Sequence, residues 1–429
     1  MSRVRRLRRA TLLCLLATVL GTLAVAASST AATSSRGSTG AASVIKVGFE
    51  VPLTGAYAAN GMMEANGFNL GLHDFMPANG INGHKVQLKY VDTQRDPATA
   101  LALSRALVEQ WGANVIEGPL GSNEVTAVTP YLVSKQMPVD DLTLCSSQQM
   151  EAYQQSGLGF TSGWICDTPA QAGAKWAYSV KHWTHMTVVA FDYSFGWEGA
   201  GAFAAEYQKL GGTIDKVIWV PSNVLDMSSY VSQIPKSTQA VWALVGGAVA
   251  VNFVKAYDQF GLHGQVPLLG PILTDYSALP GEGDAANGIY MDLQYCDGLT
   301  NSLNKHFAAE YYAKYGTYPG YYSEAGYTKA RILLNALKRT GGNASNAKVL
   351  IAAMKAVANL NTPRGPVSIN STYDGPVQNA YICQVKKVNG AYRNVPIYTF
   401  SKLQPWGLLS KADWLEHFTH DGSARPSIG

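Results

Sequence analysis

Short β-rich runs alternate with helix-length segments along most of this chain, and that alternation constrains its fold more than any other feature. VIKVGF from Val44 precedes a helical stretch from Gly61 to Phe75. KVQLKYV from Lys85 precedes Pro97–Gln110, where Asp96 supplies an N-cap and Pro97 the first helical position. NVIEG leads to a helix over Asn123–Lys135, and MPVDDLTL adds a strand. A second series begins after Gly159. Helices over Thr168–His182, Gly199–Leu210 and Ala248–Phe260 there interleave with MTVVAFD, TIDKVIWV, QAVWALVG and VPLLGP. This order calls for parallel sheets covered by helices, assembled from right-handed βαβ units. Two series imply two α/β lobes. The last third reads as helices at Leu303–Tyr315, Glu324–Arg339 and Ala347–Ala358, followed by GPVSIN, NAYICQVKKV and PIYTFSK. Ending β-rich after three helices suits a chain that crosses back between lobes.

Open parallel sheets bind ligands beyond the carboxyl ends of their strands, so the residues just after each strand carry the functional expectation. The stretch Asn114–Ala127, NVIEGPLGSNEVTA, is the most telling. A strand breaks at Gly118-Pro119, passes Gly121-Ser122-Asn123 and enters a helix. The first N–H groups of such a helix lack intrahelical partners and carry partial positive charge. A carboxylate or another small anion suits that position. The competing reading is that Ser122 or Asn123 merely caps its own helix.

The N-terminus reads as a targeting segment over residues 1–27. Arg3, Arg5, Arg6, Arg8 and Arg9 precede an apolar run from Ala10 to Ala27, and Ala24-Val25-Ala26 offers a cleavage site. The run is at the short end for a membrane-spanning helix, which needs roughly 20 apolar residues, and a retained anchor is the alternative to cleavage. Bulky Leu13 before Cys14 argues against lipid attachment, and Arg8-Arg9 is a weak twin-arginine match. Residues 28–43, rich in Ser, Thr, Ala and Gly, read as a flexible linker. Charged residues make up 14% of the chain and the net charge is +4, part of it in the leader. That balance gives no footprint for nucleic acid. The four cysteines beyond the leader, Cys145, Cys166, Cys296 and Cys383, favour disulfides in an exported protein, with three connectivities open. We favour Cys145–Cys166 and Cys296–Cys383.

Enzymatic signatures are weak. His182/His185 and His417/His420 form H-x-x-H pairs without a carboxylate or cysteine to complete a metal site. No G-x-S-x-G turn or H-E-x-x-H helix occurs. GGAVAVN and PGEGDAANG lack the phosphate-cradle pattern and read as turns and helix starts. The expectation is a non-enzyme without cofactor or metal. The tyrosine run Tyr311, Tyr312, Tyr315, Tyr318, Tyr321 and Tyr322 reads as packing, apart from Tyr322.

From about Val44 to Phe400 the chain resembles the leucine/isoleucine/valine-binding type of ABC-transporter substrate-binding protein (periplasmic binding protein type I). IKVGFEVPLTGAYAANG looks like the opening strand and binding loop of that family, and VDTQRDPATA like its D-x-x-x-D-P turn. GPLGSNEVTAV, MPVDDLTLCSS, FDYSFGWEG and VPLLGP follow where the family carries its further pocket loops. The resemblance implies two Rossmann-like lobes joined by three crossovers. It implies lobe 1 at 44–162 and 296–370, and lobe 2 at 163–295 and 371–429 with the C-terminal tail. The implied ligand wall is Leu120, Gly121, Ser122 and Asn123, with Thr143 and Cys145 from the next loop. A disulfide at Cys145 would cancel its donor role. Phe195 stands where a tyrosine usually crosses from the second lobe, with Trp197 beside it, and Asn60 and Tyr322 border the pocket.

Members that bind α-amino acids hold the ammonium with an aromatic hydroxyl and a carboxylate. The matching positions here are Gly246-Gly247 and Ile272, leaving Asp275, or Asp140 or Asp141 from the first lobe, as substitutes. A buried ammonium without a counter-charge costs several kcal/mol. The implied ligand is therefore a small carboxylate or amide with an apolar or aromatic body, and not necessarily an amino acid. The implied partners are a small-molecule ligand and an ABC permease with its ATPase, the protein acting as a monomer outside the cytoplasm, in the periplasm, at the cell envelope or secreted. A ligand-binding sensor component working through a separate membrane receptor is the alternative.

Overall fold

The computed structural model describes residues 44–417 and 425–428; the leader, the linker, Cys14 and His420 lie outside them. β-Branched and aliphatic runs, apolar on both faces, form the central strands, which is the pattern of a sheet covered by helices on each side. The first lobe is built on β1 (Ile45–Val51), β2 (Val86–Asp92), β3 (Val115–Glu117), β4 (Val139–Leu144) and β5 (Gly159–Ile165). These strands lie in the order β2-β1-β3-β4-β5, all parallel.

The second sheet contains β6 (His185–Phe191), β7 (Thr213–Val220), β8 (Ala240–Leu244), β9 (Leu268–Leu269), β10 (Tyr290–Leu293), β11 (Leu360–Thr362), β12 (Gly365–Asn370), β13 (Gly375–Val388) and β14 (Ala391–Leu403). Its order is β11-β12-β13-β10-β9-β8-β6-β7, with β14 beside β13. The stretch β7-β6-β8-β9-β10 is parallel, and β11 to β14 are antiparallel. The alternation thus yields two parallel α/β sheets, extended by antiparallel strands at the end of the chain. β13 links them: the Thr161 N–H on β5 donates to Asp374 O at 2.9 Å, just before β13, whose later residues pair β10.

Several elements escape the sequence pattern. β5, GFTSGWI, carries Gly, Thr and Ser where a strand signal needs branched residues, and the helix Ser147–Ser156 and short β10 also go unannounced. The helix from Pro97 gives way to a π-helical turn over Ala106–Trp111 before Gly112 ends it in the left-handed region. Asp96 caps this helix as expected, accepting from Thr99 N–H at 2.7 Å.

Phe49 packs edge-on against Phe68 at 4.9 Å in the first lobe, and Phe203 stacks on Trp242 at 4.7 Å in the second. Cys145 is joined to Cys166 and Cys296 to Cys383, with Cα atoms 5.2 and 6.4 Å apart. Among the described residues no helix is long and apolar enough to cross a membrane, and no group of three or more His, Cys, Asp or Glu could hold a metal ion.

Candidate functional site

The carboxyl ends of both sheets face one cavity, where parallel strands deliver their loops. It is lined by Tyr57 and Arg95 beyond β1 and β2, and by Leu120, Gly121 and Ser122 beyond β3. Leu142 and Thr143 of β4 and Trp164 of β5 continue the wall. The second lobe supplies Phe191, Tyr193 and Phe195 at the end of β6 and Ile272 beyond β9, while Tyr321 and Tyr322 open the helix Tyr321–Arg339. Its free volume is about 20 Å³, roughly the room of one water. The lobes touch through side chains across it.

Six expected residues meet here: Leu120, Gly121, Ser122, Thr143, Phe195 and Tyr322. Ser122 Oγ lies 3.0 Å from Ser194 Oγ of the opposite lobe, and the Thr143 hydroxyl donates to Leu120 O at 2.7 Å. The other five expected residues lie off the cavity wall. Asn60 is buried and donates to Ser277 Oγ at 3.2 Å. Asn123 turns its amide oxygen to Arg95. Cys145 is spent in its disulfide. Trp197 points away, its indole N–H donating to Asp192 at 2.9 Å. Gly246 starts the helix Gly247–Gln259, and the Ile272 side chain occupies the space a Cβ there would take. At Gly247, with φ 59°, a Cβ would lie 2.8 Å from Ala56 O, so the bare backbone lets this helix start approach the first lobe.

Neither Ser122 nor Asn123 caps the helix Ser122–Ser134. The Glu124 carboxylate turns back to accept the Gly121 N–H at 3.0 Å, placing the protein's own anion on the dipole's positive end. Sequence reasoning missed the group that answers it. Arg95 sits in the D-x-x-x-D-P turn with φ 64° and reaches Asn123, Glu124 at 3.2 Å and Tyr193 OH at 3.0 Å. A Cβ on Gly121 would collide with its guanidinium. Its plane lies within 5.2 Å of the Tyr57 ring centroid and 5.6 Å of that of Tyr193, within cation–π range. Burial opposes its charge, but Tyr193 and Glu124 outweigh that and hold it above the usual guanidinium range. The crossing tyrosine is thus Tyr193, two residues before Phe195, which packs edge-on against Trp164 at 5.2 Å. The visible signals were the arginine inside an otherwise ordinary turn motif and the tyrosine of FDYSF.

The carboxylates offered as ammonium partners are committed elsewhere. Asp275 accepts the Tyr321 N–H at 2.5 Å and the Ser277 N–H at 3.1 Å, capping a helix instead of lining the cavity. Asp140 binds Ser162, through its N–H at 2.8 Å and its hydroxyl at 2.7 Å. Asp141 accepts from Gln149 at 2.6 Å and from the Tyr153 hydroxyl, and burial pushes it up to about 7. Behind this wall lies Lys329, fully buried, with Nζ 3.1 Å from Glu64 and donating to Asp140 O at 3.0 Å. Burial above all raises Glu64, and lifts Glu117 well above the ordinary carboxylate value.

A profile of the family described as periplasmic binding protein matches residues 44–391. The Leu/Ile/Val-binding protein homolog 6 of Brucella melitensis biotype 1 is 29% identical over 385 residues, 86% of this chain and 95% of the relative. Among solved structures, a solute-binding protein of an ABC transporter from Rhodopseudomonas palustris BisB5, in complex with 3,4-dihydroxy benzoic acid, aligns with a TM-score of 0.79. It is 26% identical and covers 84% of this chain and 98% of that one. A leucine-binding protein LivK from Thermotoga maritima shares the fold at a TM-score of 0.73 and 20% identity, covering 83% and 99%.

Proposed function

The chain belongs to the periplasmic binding protein family and is a solute-binding protein of the ABC-transporter type, and from that premise we propose that it captures a small aromatic or aliphatic carboxylate, or the matching amide. One observation carries the reading: the described residues lining the cavity include aromatic rings, two aliphatic hydroxyls and one cation, and no acidic side chain. An α-ammonium would find no counter-charge there, and leaving one buried costs several kcal/mol. The aromatic lining suits a flat body, as in the dihydroxybenzoate-bound relative. Ser122 and Thr143 face the solute from the first lobe, and Phe195 and Tyr322 close on its apolar part. We place lobe 1 at 44–162 and 296–370 and lobe 2 at 163–295 and 371–429. The protein works outside the cytoplasm as a monomer, after removal of residues 1–27, and its closed form delivers the solute to a membrane permease. Contacts to both lobes are what let a ligand shift the open–closed balance.

A thermal-shift screen followed by calorimetry, across amino acids, amides, and aromatic and aliphatic acids, tests this. Aromatic acids are expected to raise the melting temperature and bind most tightly. Submicromolar binding of leucine or valine, with no binding of aromatic or aliphatic acids, would refute it.

A further inference from the structure

We infer that the guanidinium of Arg95 receives the solute's carboxylate, so that the pocket selects monoanionic aromatic acids by charge as well as by shape. This rests on the reading above and adds the residue that sets its charge preference. Among the described residues lining the cavity, Arg95 carries the only formal charge. The helix start beside it already carries one anion, since Glu124 accepts the Gly121 N–H. That leaves Arg95 as the positive group facing the cleft.

Its donors are only partly spent. One terminal nitrogen holds Asn123 and Glu124, the other donates to Tyr193 OH, and Nε is buried with no partner. The edge formed by Nε and the second terminal nitrogen is therefore half free, and such an edge matches a carboxylate through two parallel bonds. Glu124 and Asn123 fix the guanidinium from behind, while Tyr57 and Tyr193 bracket its plane. A preorganised fork of this kind loses little freedom on binding. When the lobes part, Tyr193 leaves with the second lobe, and the solute's carboxylate takes the position its hydroxyl held. The aromatic body then meets Trp164, Phe195 and Tyr322.

Calorimetry with benzoate and benzamide, which share a shape and differ in charge, tests the assignment on the wild type, Arg95→Gln and Arg95→Lys. We expect the wild type to prefer benzoate by about 100-fold, the scale of a buried hydrogen-bonded charge pair. Arg95→Gln should lose that preference, and a thermal melt of the variant shows whether it is folded. Arg95→Lys should keep part of the preference for the acid. Wild-type preference for benzoate that survives in Arg95→Gln would overturn the role of Arg95 and leave the proposed function standing. A wild type that binds leucine and neither probe overturns both. Should Arg95→Gln bind neither probe, loss of the acid preference in Arg95→Lys would count against the assignment and its retention for it.

Discussion

The two walls of the cleft are made of different material. The first lobe offers charge and hydroxyls, in Arg95, Ser122 and Thr143, and behind them stand more buried ionisable groups: Glu50, Glu64, Glu117, Asp140, Asp141 and Lys329. The second lobe offers Phe191, Tyr193, Phe195 and Ile272, backed by Val188, Val189 and the Phe203–Trp242 stack. A carboxylate of its sheet, Asp292, pairs with no cation among the described residues and accepts from the Trp242 indole at 3.0 Å, with burial holding it well above the usual carboxylate range. The difference separates two tasks. A polar wall held rigid by a buried network fixes one end of a solute, and an apolar wall closes over the rest whatever its charge. Three measurements break or sharpen that contrast.

The largest effect is expected at Lys329, whose charge offsets several buried carboxylates. Lys329→Met leaves Glu64 and Glu117 without a cation and should cost about 3–5 kcal/mol of stability in a denaturant melt at pH 7. A loss below about 1 kcal/mol would mean that the network contributes little to holding the wall.

Glu50 comes second. Its Oε1 accepts from Ser104 at 2.6 Å, its Oε2 has no partner, and burial pushes the group from 4.5 up to about 8. Between those values the folded chain binds more protons than the unfolded one, so stability falls as pH rises from 4.5 to about 8. Glu50→Gln removes the titration and keeps the hydrogen bond. The melting temperature of the variant relative to wild type should therefore climb between pH 5 and pH 8.5, by an amount corresponding to about 2–4 kcal/mol. A gap that stays flat with pH sinks the assignment of a neutral Glu50 behind the first wall.

Phe195→Ala is the smallest of the three and tests the second wall. It should weaken benzoate and benzamide alike, by roughly tenfold, because packing area is indifferent to charge. A change in their ratio would show that the apolar wall also reads charge.

How much of this was legible in the sequence follows from how local each signal is. The alternation of runs announced both parallel sheets, since each strand and helix declares itself within a few residues. β5 did not, because its Thr161 and Ser162 are polar residues consumed by buried partners: Thr161 donates to Asp141 O at 3.2 Å and Ser162 binds Asp140. Ser122 and Thr143 could be found because strand ends point them at the cleft. Arg95 could not, since its importance comes from Asn123, Glu124 and Tyr193, which lie far along the chain and meet it only in the fold. Asn60, Asn123, Cys145, Trp197 and Gly246 sit one layer off the wall for the same reason. Position within a loop is readable in sequence, but the direction of a side chain depends on neighbours contributed by the other lobe.

Hydrogen bonds that cross the cleft, Arg95 to Tyr193 and Ser122 to Ser194 among them, turn recognition into an exchange reaction. A newcomer gains only the difference between the bonds it makes and those it displaces. A molecule that replaces one and neglects the other strands a buried polar group, at about 1–3 kcal/mol. Near misses are thereby rejected more sharply than an open polar surface would reject them.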